Sequence, residues 1–218
     1  MRGVAPREAM LQIRLPEVTP AEPPSFAVTA RVLCRAHMST PVRIVTVTVS
    51  DTRTAADDEG GRTLDAALRA AGFTVLRHHI VKDEPAYIGE LINSLSETEC
   101  EAVILTGGTG IAPRDQTYEA IERVLEKRMD GFGEAFRRLS WDEIGPNAIL
   151  SRATAGVIHR TLVFALPGSV RAVRLGVEKL IIPILPHAAD VATGRAVGRH
   201  GDDDGDDHDH HPASSRAR

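Results

Sequence analysis

Aromatic residues are scarce in this chain, at 4% of 218 residues, with one Trp, two Tyr and five Phe. A core built from it must be aliphatic and alanine-rich, and the 42% of hydrophobic residues is enough to form one. Cysteine is nearly absent. Cys34 and Cys100 share no metal-ligand spacing and make no disulfide framework. A reducing, cytoplasmic setting is the expectation. No apolar run is long enough to span a bilayer, and Arg31 and Arg35 interrupt the N-terminal stretch that a signal peptide would need unbroken. An excess of one charge is missing too. The net charge is −4, and Asp202, Asp203, Asp204, Asp206, Asp207 and Asp209 of one tail account for it. The body is near neutral, which excludes the basic footprint of a nucleic-acid binder.

What is present divides into three parts. Residues 1–40 are rich in Pro, Ala, Glu and Arg, with Pro16, Pro20, Pro23 and Pro24 close together, and read as a disordered extension. Met38 stands just before the first strong strand, so the segment ahead of it is either such an arm or an upstream extension of the reading frame. Residues 41–194 carry the orderly pattern. Residues 195–218 form a polar tail rich in Gly, Asp and His, expected to be disordered. His200, His208, His210 and His211 read as part of a solvated acidic tail with weak affinity for nickel or zinc.

In the orderly part, β-branched residues from Val42 to Val49 predict a strand. Leu64, Leu68 and Ala71 predict a helix ending at Gly72. Phe73 to Val81 reads as a second strand. Ile88, Leu91, Ile92 and Leu95 make a helical stripe. Ala102 to Thr106 is a third strand, followed by a helix begun by Tyr118, Ile121 and Leu125. Thr161 to Leu166 is a later strand, with a helix marked by Val170, Val173 and Val177. Alternating strands and helices imply a parallel sheet with right-handed crossovers.

The most informative stretch is Thr106-Gly107-Gly108-Thr109-Gly110, followed by Arg114 and Asp115. A glycine-rich turn between a strand and a helix lets bare backbone N–H groups approach an anion. Lysine is missing after Gly110, which excludes a Walker A loop, and no third spaced glycine completes a dinucleotide fingerprint. Three further loops end parallel strands and should open on the same edge: Ser50-Asp51, the loop at Asp83, and Pro167-Gly168-Ser169. Their hydroxyls and glycine amides suit phosphates, and their carboxylates suit a divalent cation. Each has a simpler role as well. Asp83 precedes a helix with Pro85 in its first turn, and a cap is the expected use. Ser169 is a candidate cap, as is either Asp115 or Thr117, and Asp51 suits an Asx turn. His78 and His79, in a strand, are expected to be satisfied structural residues.

These residues resemble the MoaB/MogA family of molybdenum-cofactor biosynthesis, on the MoaB side. The resemblance runs from about Val42 to His187 and rests on ordered segments. They are Val49-Ser50-Asp51-Thr52-Arg53, Val81-Lys82-Asp83-Glu84, the Thr106–Glu119 loop, Asp130-Gly131-Phe132-Gly133-Glu134, Glu143-Ile144-Gly145-Pro146, Ser151-Arg152-Ala153 with Ala155-Gly156, and Leu166-Pro167-Gly168-Ser169. It implies a three-layer α/β sandwich around a mainly parallel sheet, and trimers or hexamers. It also implies adenylylation of molybdopterin by ATP with Mg²⁺, with molybdate inserted later by a separate protein. Asp83 and Asp115 would be the catalytic, metal-binding carboxylates. Thr106, Gly107, Gly108, Thr109 and Gly110 would hold phosphates, with Ser50, Asp51, Arg114, Ser151, Arg152, Pro167, Gly168 and Ser169 lining the rest. Two positions depart from the pattern: Gly60 stands for a serine, and Val170 for a frequent proline. A non-catalytic pterin-binding or scaffold member of the same family is the alternative.

Overall fold

Six strands form one sheet in the order β2-β1-β3-β6-β5-β4 in the computed structural model, which describes residues 42–97 and 100–195. The N-terminal extension and the Asp/His tail beyond residue 195 lie outside the described residues, as does Cys34.

The element order is β1 (Arg43–Val49), α1 (Glu59–Ala70), β2 (Thr74–Val81), α2 (Pro85–Ser96), β3 (Ala102–Thr106), α3 (Thr117–Val124), β4 (Lys127–Arg128), α4 (Asp130–Ile144), a 3₁₀ turn (Gly145–Leu150), β5 (Thr154–Ile158), β6 (Thr161–Leu166), α5 (Val170–Gly176), a π turn (Val177–Ile181) and α6 (Ile182–Thr193). Strands β2, β1, β3 and β6 run parallel. β5 pairs antiparallel with β6, and β4 antiparallel with β5.

Strand β1 shows how residue type sets the layers. Successive side chains of a strand alternate faces. Val45, Val47 and Val49 enter the core shared with Ile88, Ile92 and Leu95 of α2 and Ile121 of α3. Ile44 enters the opposite core, with Leu64 and Leu68 of α1, Phe132 and Phe136 of α4, Val173 of α5 and Leu185 of α6. Helices thus cover both faces of the sheet, the three-layer α/β sandwich expected. Thr46 and Thr48 fall on the α1 face and are fully buried, so their hydroxyls need partners inside the protein.

Phe132 and Phe136 are buried, and Phe132 packs against Phe164 with ring centroids 5.3 Å apart. Phe132, Gly133 and Phe136 therefore belong to the core, while Gly131 is exposed. The elements from β4 to β5, and α6, were not read as such from the sequence. Helix α4 carries Gly131 and Gly133, poor helix formers, and α6 carries Pro183 and Pro186. Gly133 is required there, since a Cβ would meet the Ala153 carbonyl at 2.5 Å.

Candidate active site

The four parallel strands end at the same edge, and their loops meet there. The Ser50 amide donates to the Val81 carbonyl (2.8 Å), joining the ends of β1 and β2. The Asp83 amide donates to Asp51 Oδ1 (3.2 Å), and the Gly107 amide to the Leu166 carbonyl (2.9 Å), joining β3 to β6. Ser50, Asp51, Asp83, the Thr106–Gly110 loop and Pro167-Gly168-Ser169 thus share one edge, as the parallel sheet predicts.

The glycine loop depends on its glycines. Gly107 (φ 103°) and Gly108 (φ 62°) occupy the left-handed region. A Cβ on Gly107 would collide with the Val49 carbonyl, and one on Gly108 with Thr117 Oγ1 and Asp83 Oδ2. The loop is clamped from outside by Arg152. Its amide donates to the Thr109 carbonyl (3.1 Å), Nε to the Gly110 carbonyl (2.9 Å) and Nη2 to the Asp115 carbonyl (2.9 Å). Nη1 pairs with Glu119, and the guanidinium lies 5.0 Å from the Tyr118 ring centroid. Arg152 thus shapes the loop with the donors that sequence reading assigned to a ligand. Thr109 is 1% exposed, and its Oγ1 is buried with no hydrogen-bond partner.

Asp83 does not cap its own helix. Glu84 takes that position in α2 and makes no side-chain cap. Asp83 instead crosses to the start of α3, where Oδ1 accepts from Thr117 Oγ1 (3.1 Å) and Oδ2 from the Gln116 amide (3.2 Å). The correction has a simple cause: the start of α3 has free N–H groups and no side-chain cap of its own. Asp115 turns back instead, with Oδ2 accepting from the Ala112 amide (3.0 Å). Burial, foremost, raises the Asp83 carboxyl above its ordinary value. The hydrogen bonds from Gln116 and Thr117 oppose this, and the charges of Asp115 and Asp51 add to it. The carboxylates nearest the glycine loop are the residues that could hold a divalent cation. Asp83 and Asp115 would hold it, with phosphate oxygens and water completing the shell. Among the described residues no group of three or more His, Cys, Asp or Glu side chains is placed to hold a metal ion.

Several other expected residues have local roles. Ser50 Oγ accepts from the Thr52 (3.3 Å) and Arg53 (3.2 Å) amides. Ser169 caps α5 through the Ala172 amide (3.3 Å). Ser151 Oγ accepts from the Ala153 amide (3.3 Å). Arg114 is exposed on the loop.

Sequence reading placed Asp58 in the family-like Asp57–Gly61 segment but gave it no role in the site. Asp58 is 2% exposed and caps α1 by accepting from the Gly61 amide (2.9 Å). It also accepts from Thr48 Oγ1 (2.7 Å), lies 2.9 Å from His78 Nε2, and pairs with Arg53 Nη1 at 3.6 Å. Thr48 Oγ1 in turn lies 3.3 Å from Thr106 Oγ1, the first residue of the glycine loop. His78 Nδ1 contacts Thr46 Oγ1 at 2.8 Å, so His78 is the satisfied structural residue expected. His79 is not, because its Nε2 is buried without a partner, and burial, helped by Arg77 and His78, pushes its pKa down. The signal for Asp58 was an acidic residue just before Glu59-Gly60-Gly61, a usable helix start.

Fold and site together define a class: a doubly covered, mainly parallel α/β protein with a phosphate-compatible acidic site at its strand ends. The family model for a probable molybdopterin binding domain matches residues 45–187. The chain is 49% identical over 148 residues to molybdenum cofactor biosynthesis protein B of Bacillus subtilis, covering 67% of this chain and 87% of that one. The protein of the same name from Staphylococcus aureus is 45% identical over 149 residues, with 67% and 89% covered. A crystal structure of molybdenum cofactor biosynthesis protein B superposes with a TM-score of 0.70 at 42% identity, covering 72% of this chain and 99% of that one. The chain belongs to the MoaB/MogA family of molybdenum-cofactor biosynthesis proteins and is MoaB-like.

Proposed function

We propose that this protein works in molybdenum-cofactor biosynthesis as a molybdopterin adenylyltransferase that uses ATP and Mg²⁺. The carrying observation is the pairing of two carboxylates, Asp83 and Asp115, with the positive-φ glycine loop at one sheet edge. In the reaction a phosphate oxygen of molybdopterin attacks the α-phosphorus of ATP. A P–O–P bond forms, the α–β bridge breaks, and pyrophosphate leaves. Mg²⁺, when bound, offsets the charge of the two anions brought together. The chain itself supplies positioning: loop amides and the Thr109 hydroxyl for phosphates, and Asp83 and Asp115 to orient them. No serine-histidine or cysteine-histidine pair is required.

The experiment is incubation with ATP, Mg²⁺ and molybdopterin, followed by detection of adenylylated product, with Asp115→Asn beside wild type. Pterin-dependent pyrophosphate release supports the reading, and a folded D115N variant working at wild-type rate sinks the assignment of Asp115. Gly60 in place of a family serine favours the second reading, a non-catalytic molybdopterin-binding or scaffold protein. Pterin binding without pyrophosphate release would establish that one. We further propose a homo-oligomer, trimer or hexamer, that delivers its product to the molybdate-insertion protein. Among the described residues no helix is long and apolar enough to cross a membrane.

A further inference from the structure

The proposed site has an electrostatic problem. Phosphorylated ligands bring several negative charges to an edge that already holds Asp51, Asp83 and Asp115. Arg152, which clamps the loop, has Nε, Nη1 and Nη2 engaged by Gly110, Glu119 and Asp115, and Arg114 is exposed on the loop. Arg53 stands differently. Its Nη2 donates to the Gly168 carbonyl (3.0 Å), and its Nη1 lies 3.6 Å from Asp58 Oδ1. That carboxylate also accepts from Gly61 and Thr48 and contacts His78, so Arg53 receives only part of its charge. A guanidinium carries five N–H donors, and these contacts engage two. The side chain is 31% exposed at the loop edge, and Gly168 packs against Gly107, the first glycine of the phosphate loop.

Gly60 explains how Arg53 fits. A Cβ at position 60 would lie 3.1 Å from Arg53 Nη1 and 3.3 Å from the Gly168 carbonyl oxygen. A side chain there would be in tight contact with both ends of the Arg53–Gly168 hydrogen bond, which would have to give by a few tenths of an ångström. Glycine at this position leaves both groups free of that contact.

We propose that Arg53 is a phosphate-binding residue of this site, braced by Asp58 and the Gly168 carbonyl, with Gly60 leaving its guanidinium uncrowded. This rests on the reading of the edge as a phosphate site. At position 60, glycine leaves the guanidinium free of a close side-chain contact.

The test is titration calorimetry of the full chain with inorganic pyrophosphate and, separately, with ATP, at several salt concentrations. Arg53→Ala should weaken pyrophosphate binding about tenfold or more, the effect of losing one charge-assisted contact. It should also flatten the salt dependence of affinity, because one charge pair is gone. Arg53→Lys, which keeps the charge without the planar fork, should fall between. Gly60→Ser should weaken binding alone yet add nothing to Arg53→Ala, the non-additivity of a shared mechanism. A folded R53A or R53K variant with wild-type affinity and salt slope overturns the proposal. Weaker binding with an unchanged salt slope also overturns it, since Arg53 is then only a brace. If wild type binds neither pyrophosphate nor ATP, the phosphate reading of the site fails first, and the role of Arg53 falls with it.

Discussion

Asp83 shows how a single residue trades stability for function. Its carboxyl is raised above 3.8, first by burial and then by Asp115 and Asp51, against the hydrogen bonds from Gln116 and Thr117. A raised carboxyl is ionised at neutral pH at a cost to the fold. That cost is present above the folded pKa and fades as pH falls through it toward 3.8. Asp83→Asn keeps an acceptor for Thr117, gives up the one for the Gln116 amide, and removes the buried charge and its repulsion. The variant should be at least as stable as wild type at pH 7 in a urea titration, with the difference shrinking toward acid. Adenylyl transfer should fall on the order of a hundredfold. Asp58 behaves in the opposite sense. Burial opposes its ionisation, but hydrogen bonds from Thr48, Gly61 and His78 together hold its carboxyl below 3.8. Its contribution is complete above 3.8 and is lost as pH falls through the lower folded value. Asp58→Asn should lower the urea midpoint at pH 7 and flatten the wild-type loss of stability below about pH 4. An unchanged acid limb would show that Asp58 does not govern it.

Among the elements, the strand-end loops were legible because a parallel sheet sends every carboxyl end to one edge. The β-branched runs at Val42–Val49, Ala102–Thr106 and Thr161–Leu166 stand out against Gly and Asp punctuation, and the structure places strands there within a residue. The stretch from Lys127 to Ile158 was opaque, with a two-residue strand, glycines inside a helix and a Thr-Ala-Gly strand. The bracing of the site was opaque too. Asp83 reaches Thr117 across 34 positions and Arg53 reaches Gly168 across 115, and no local pattern encodes such pairs. Glycines separate the two kinds of information. Gly107→Ala meets positive φ and the Val49 carbonyl together, and should cost at least about 2 kcal/mol and abolish phosphate binding. Gly131→Ala, exposed in the first turn of α4 with open space around its Cβ position, should instead stabilise by roughly 0.4–1 kcal/mol. Thermal unfolding of the two variants checks both signs. Equal effects would mean that the loop's backbone geometry does not constrain it.

At the scale of the whole molecule, the apolar surface is unevenly distributed. Trp141 and Ile144 on one side of α4, and Ile149 and Leu150 on the 3₁₀ turn that follows, are 48%, 44%, 65% and 46% exposed. This cluster of large apolar side chains lies directly before Ser151 and Arg152, and Arg152 clamps the glycine loop. Exposed apolar groups gathered on adjacent elements mark association surfaces. The proposed homo-oligomer can be tested at this face. Light scattering coupled to size exclusion should give a mass that is a multiple of the 23.5 kDa chain. Trp141→Glu should shift it toward the monomer, because a buried, unpaired carboxylate opposes association. The association should also stabilise the 3₁₀ turn and, through Arg152, the loop, so phosphate affinity should rise with protein concentration across the assembly midpoint. A W141E protein with wild-type mass would place the interface elsewhere. A monomeric W141E protein with undiminished affinity would show that assembly and the site are independent.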